Sequence, residues 1–129
     1  MAGQLPMPRI FFEWGDYQME NLETYRACIK QLLAELGQTN SPDDEVESQI
    51  IMDTERDHYQ LVHVGWQNNR RVYGCVLHLD IKGDKIWIQH NGTEIEIAPT
   101  LVAMGVPKQN IVLGLRPPYI RQMMDYAVA

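Results

Sequence analysis

The sequence predicts an α+β domain: an N-terminal helix, an antiparallel β-meander of about five strands, and short C-terminal helices covering one face. Three observations predict it. Apolar residues recur at helical spacing in MENLETYRACIKQLLAELG (19–37). From Val46 the apolar period changes to two. Turn dipeptides then interrupt the period-two stretch.

In the helix, Leu22, Tyr25, Ile29, Leu32 or Leu33, and Leu36 follow the i, i+3, i+4, i+7 rule. Asn21 is a candidate N-cap, and Gly37 is a natural stop. Residues 1–18 carry no sustained period and read as an extension outside a single domain at 19–129. QTNSPDDE (38–45) is a loop by composition.

VESQIIMD, HYQLVHVGW, RRVYGCVLHLDI, KIWIQ and TEIEI read as five strands. Asn68-Asn69 fits a type I′ turn, which pairs Trp66 with Arg71, Val64 with Tyr73, and Val62 with Cys75. Gly83-Asp84 fits type II′ and sets Ile81 opposite Ile86 and Leu79 opposite Ile88. Asn91-Gly92 fits a further hairpin, pairing Ile88 with Ile95 and Ile86 with Ile97. These registers place Val62, Val64, Tyr73, Cys75, Leu77, Leu79, Ile81, Ile86, Ile88, Ile95 and Ile97 on one face. The other face carries Tyr59, Leu61, His63, Val72, Val76, His78, Trp87, Gln89, Glu94 and Glu96. Around TERDH (54–58) two loop lengths fit equally well.

After the sheet, PTLVAMG (99–105) reads as a short helix with Pro99 in its first turn. IVLG is a short apolar strand, and RPPYIRQMMDYAVA is a Pro-started tail of weak helical character.

Composition narrows the function. The chain is 129 residues with 45% apolar and 22% charged residues, an ordinary globular profile for one domain. No stretch approaches the roughly 18 consecutive apolar residues of a membrane span. Two cysteines, Cys28 and Cys75, have no CxxC spacing and predict a reducing cytoplasm. The net charge is −6. Residues 20–57 hold ten acids against Arg26, Lys30 and Arg56, whereas residues 58–129 hold five acids against seven bases. An acidic front and a faintly basic back suit a complementary protein face better than a phosphate backbone.

Candidate chemistry is sparse. Asp53, Glu55, Asp57 and His58 cluster in DTERDH, but the spacing is not that of a calcium loop and Arg56 supplies a counter-charge. On the predicted registers, His63 faces Gly74, and His78 faces Tyr59 and Gln89, so no two histidines are cross-strand partners. The only serines, Ser41 and Ser48, stand in no nucleophile elbow, and Gly-rich phosphate loops are absent. No catalytic residue, metal ligand set or cofactor site is predicted. Arg70 and Arg71 with Trp66 and Tyr73 make the best case for nucleic acid. The patch is two arginines wide, though, and Lys82 and Lys85 lie about 33 Å away at strand rise. Trp66, Arg70, Arg71, Tyr59 and Trp87 are therefore the candidate partner-binding residues, as aromatic and arginine anchors on a rimmed patch. The competing reading has the C-terminal tail cover the Trp87 face.

The run DTERDHYQLVHVGWQNNRRVYGCVLHLDIKGDKIWIQHNGTEIEIA, followed by LVAMGVPKQNIVLG and the terminal YAVA, resembles the XisI family. The resemblance covers about Met19 to Ala129. It implies a cyanobacterial controlling factor for excision of the fdxN element, alongside the related factor XisH, whose type resembles restriction-endonuclease-like nucleases. It carries no catalytic residues over to this chain. Combined with the acidic charge, it leads to the expectation of a non-enzymatic accessory factor. Such a factor would bind an XisH-like partner or the site-specific recombinase, with direct DNA binding the alternative, a metal-dependent enzyme the less favoured one, and a homodimer through the sheet also open.

Overall fold

A computed structural model describes the backbone of residues 7–38 and 45–129 and the side chains of residues 21–38 and 45–129. The predicted extension, residues 1–18, and most of the QTNSPDDE loop lie outside the described side chains. Helix α1 spans Met7–Gly37, so it starts upstream of the periodic segment and Asn21 is an interior residue, not an N-cap. Its buried stripe is the predicted one. Tyr25, Ile29, Leu32 and Leu33 are in the core, with Leu22 and Leu36 packed against it.

Four antiparallel strands follow: β1 (Val46–Asp53), β2 (His58–Gln67), β3 (Arg70–Lys82) and β4 (Lys85–Asn91). The fifth strand, β5 (Ile111–Val112), joins β4 in parallel, which gives a mostly antiparallel sheet in the order β1-β2-β3-β4-β5. Asn68 and Asn69 have φ of 52° and 64°, a type I′ turn, and Trp66–Arg71, Val64–Tyr73 and Val62–Cys75 pair as predicted. Gly83 and Asp84 also both have positive φ, 55° and 67°. That turn is therefore type I′ and not II′, although it sets the predicted Ile81–Ile86 and Leu79–Ile88 pairs. In the first hairpin Asp53 pairs with His58.

TEIEI is not a strand. The Asn91 side chain accepts the Thr93 N–H at 2.9 Å and the Thr93 hydroxyl at 2.6 Å, and its amide donates to the Ile95 carbonyl at 2.8 Å. Asn91-Gly92 thus closes a side-chain-held loop and not a hairpin, and Ile88–Ile95 and Ile86–Ile97 pairs do not form. Helix α2 (Ile97–Ala103) follows, burying Ile97, Ala98 and Leu101 on one face. The partner of Ile86 is instead Ile111 on β5. Period-two spacing in EIEI competes with the four-residue spacing of Ile97 and Leu101, and burial of the latter pair decides the conformation.

The predicted faces also change, because the sheet carries two register shifts. Leu61 pairs with Leu77, but its neighbour Val62 pairs with Cys75. Adjacent β2 residues point to opposite faces, so Cys75 and Leu77 do too, with Val76 as the extra residue of a β-bulge. Tyr59, Leu61, Leu77, Leu79, Ile81, Ile86 and Ile88 consequently form the core under α1 and α2. Val64 and Tyr73 lie on the opposite face, where Tyr73 is 74% exposed. The second shift pairs Leu79 with Ile88 but His78 with His90, leaving Gln89 as the extra residue.

The tail runs through a 3₁₀ turn (Lys108–Asn110), β5 and helix α3 (Pro118–Arg121), then returns to form a parallel bridge between Val112 and Ala127. Asn110 donates to the Tyr25 hydroxyl at 2.6 Å and ties this turn to α1.

Candidate functional site

The sheet face turned away from α1 collects the chemistry. At its β2–β3 tip, the I′ turn sets Trp66 and Arg71 side by side, with the guanidinium 5.5 Å from the indole ring centre. Trp66 is 50% exposed, and Tyr73 projects two residues along the same strand face. Arg70 and Arg71 are exposed. Three of the predicted partner-binding residues, Trp66, Arg70 and Arg71, therefore meet at one end of the molecule.

The other two do not join them. Tyr59 is fully buried, and its hydroxyl donates to Asp57 at 2.7 Å, so the predicted exposed position is corrected. The bulge at Leu61/Val62 turns Tyr59 onto the core side. Burial, reinforced by the Asp57 carboxylate, pushes its hydroxyl pKa up. Trp87 lies at the opposite end of the sheet and is half-buried. The Lys82 ammonium stands 4.3 Å from its ring centre and the Arg121 guanidinium 5.3 Å. Gly114 packs so closely that a Cβ there would stand 3.1 Å from the Trp87 ring. The C-terminal tail thus covers Trp87, the competing reading of that face.

Between these ends sits a polar network that the predicted registers miss. The first bulge moves His58 opposite Asp80 and His78 opposite Gln60. His58 Nδ1 and His78 Nε2 each lie 2.8 Å from the same oxygen, Asp80 Oδ1. Gln89 donates to Oδ2 at 3.1 Å, and Gln60 lies 3.3 Å from His78 Nδ1. His78 also pairs across strands with His90, which corrects the expectation that no two histidines do so. Asp80 is only 7% exposed. Burial alone would raise its pKa, but the His58 and His78 bonds outweigh that and hold the carboxyl below the usual range. An available sequence signal is the His-x-Asp pattern of HLD (78–80), which puts both groups on one strand face.

The DTERDH cluster divides by role. Asp53 accepts the Glu55 and Arg56 N–H groups, each at 3.0 Å, and pairs with the Arg56 side chain at 3.2 Å. Asp57 engages Arg26 on α1, whose bond holds its pKa below the usual range against the opposing effect of burial. Both acids are committed to shaping the hairpin, and His58 alone turns to the network. Burial pushes the pKa of the Cys28 and Cys75 thiols up.

A cavity of about 400 Å³ lies between α2, β4 and the tail, lined by Ile88, Ile97, Leu113, Met124 and Tyr126, with Glu96 and Arg116 exposed beside it. Its lining contains no His, Ser or Cys. Among the described residues no helix is long and apolar enough to cross a membrane.

The family model described as XisI protein matches residues 19–128. A solved XisI-like protein from Anabaena variabilis is 51% identical with a TM-score of 0.78, covering 84% of this chain and 99% of that one. The fdxN element excision controlling factor XisI of the same organism is 32% identical with a TM-score of 0.72, again over 84% and 99%. No curated protein matches. The chain belongs to the XisI family.

Proposed function

We propose that this chain is a non-enzymatic accessory factor that controls recombinase-mediated excision of a DNA element by holding another protein in the cytoplasm. The partner is an XisH-like protein or the recombinase itself. The observation that carries the reading is the exposed cluster of Trp66, Arg71 and Tyr73 on one face of the β2–β3 tip. Trp, Tyr and Arg are the side chains enriched at the hot spots that dominate protein interfaces. A net charge of −6 opposes a DNA duplex as the principal ligand.

A gel shift with element-end DNA tests the reading, run with this protein alone and with the purified XisH-like partner or recombinase. The expected result is no shift by this protein alone at physiological salt, and capture of the partner that Trp66→Ala and Tyr73→Ala together abolish. A shift by this protein alone would replace the reading with direct DNA binding through Arg70 and Arg71.

A further inference from the structure

We infer that His58, His78 and Asp80 form a binding site for a divalent late transition metal, with zinc the natural occupant. A ring nitrogen of His58, a ring nitrogen of His78 and a carboxylate oxygen of Asp80 all lie within 4.8 Å of one another. They sit on the paired strands β2 and β3, with His78 and Asp80 two residues apart on one strand face and His58 directly across from Asp80. Strand placement fixes the three Cβ positions more firmly than a loop would.

The distances suit a small ion. Each imidazole nitrogen is 2.8 Å from Asp80 Oδ1. Tetrahedral ligands at zinc bond lengths of roughly 2.0–2.1 Å stand about 3.3 Å apart, so the two nitrogen–oxygen distances would each open by about 0.5 Å. Two nitrogens and one carboxylate oxygen favour zinc and its neighbours over calcium or magnesium, which take mostly oxygen.

The surroundings hold the ligands as metal sites require. Gln89 donates to Asp80 Oδ2 at 3.1 Å, which leaves Oδ1 for the ion. Gln60 lies 3.3 Å from His78 Nδ1, the ring nitrogen that does not face the carboxylate. A ring that ligates an ion through the nitrogen facing Asp80 carries its N–H on the other nitrogen, which for His78 is Nδ1, beside the Gln60 side-chain amide. The His58 side chain is 53% exposed, which gives the ion an entry path and leaves a fourth coordination position for water.

The test uses the full chain stripped with a chelator and then titrated with Zn²⁺ by calorimetry and with Co²⁺ by visible absorption. One equivalent is expected to bind, to raise the melting temperature, and to give the d–d bands of a four-coordinate Co²⁺ site with nitrogen ligands. His58→Gln keeps a polar side chain at an exposed position and should weaken Zn²⁺ binding more than about tenfold. His90→Ala, outside the triad, should leave affinity unchanged. Absence of saturable binding, or equal affinity in wild type and His58→Gln, overturns the site.

Discussion

Arg26 on α1 and Asp57 at the end of the first hairpin form a two-pronged pair, Nε to Oδ1 at 2.8 Å and Nη2 to Oδ2 at 3.0 Å. The pair joins residues 31 positions apart. Both side chains are mostly buried, at 24% and 14% exposure, and the paired charge-assisted bonds are among the strong kind. Tyr59 closes the arrangement from below by donating to Asp57, and the Ile81 N–H donates to the Asp57 carbonyl at 3.0 Å. One helix and two hairpin elements are thereby locked together.

Replacing Asp57 with Asn should destabilise the fold by about 1.5–3 kcal/mol, the range for hydrogen bonds to charged groups. Chemical denaturation measures it. The pH dependence has a definite sign. The folded-state pKa of Asp57 is depressed, so its contribution is full above the unfolded value of about 3.9 and is lost as pH falls through the folded pKa. Stability should drop in that acid window for the wild type and drop less for Asp57→Asn.

Gly65 pairs with Val46 at the β1–β2 ladder, and its φ is +157°. A Cβ at this position would stand 2.7 Å from the Val46 Cα and closer still to the Glu45 carbonyl oxygen. Backbone cannot yield as a side-chain tip can. Gly65→Ala should therefore cost about 3 kcal/mol, at the upper end of overpacking effects, and loosen β1 from β2. Amide exchange of β1 is the direct readout.

Arg121 stacks over Trp87 and donates to the Val128 carbonyl at 2.9 Å, clamping the tail at two places. Arg121→Ala should cost about 1 kcal/mol globally, the scale of one cation–π contact. Its larger effect is local. Faster exchange is expected at Ala127 N–H, bonded to Ile111, and at Leu115 N–H, bonded to Ile88, with the α1 amides unchanged.

Trp66→Ala with Tyr73→Ala should change stability by only about 1 kcal/mol, because both side chains are largely exposed. Partner capture should nevertheless fall at least about tenfold if this tip is an interface hot spot. Equal loss of stability and capture would assign the two aromatics to the fold alone.

Much of this fold is legible residue by residue. The α1 stripe of Tyr25, Ile29, Leu32 and Leu33, the four long strands and the Asn68-Asn69 turn follow from spacing and local φ preference. The tip cluster of Trp66, Arg70 and Arg71 follows as well, since one turn sets its register. The metal-ligand triad does not. With an unbroken ladder His58 would face Leu79, and only the bulge at Leu61/Val62 brings it to Asp80. Nothing in the local sequence VYGCVLHLD marks where that extra residue falls.

By itself the sequence determined the helix stripe, the positions of the Asn68-Asn69 and Gly83-Asp84 turns and the acidic balance, because each depends on neighbours within a few residues. Tertiary structure decided which face Tyr59 and Cys75 occupy, whether TEIEI extends a sheet or leads into a helix, and where the tail lies. Those choices rest on burial against distant elements. A strand's face flips with one unpaired residue, and the free energy selecting that residue comes from Leu61, Leu77 and Leu79 packing beneath α1.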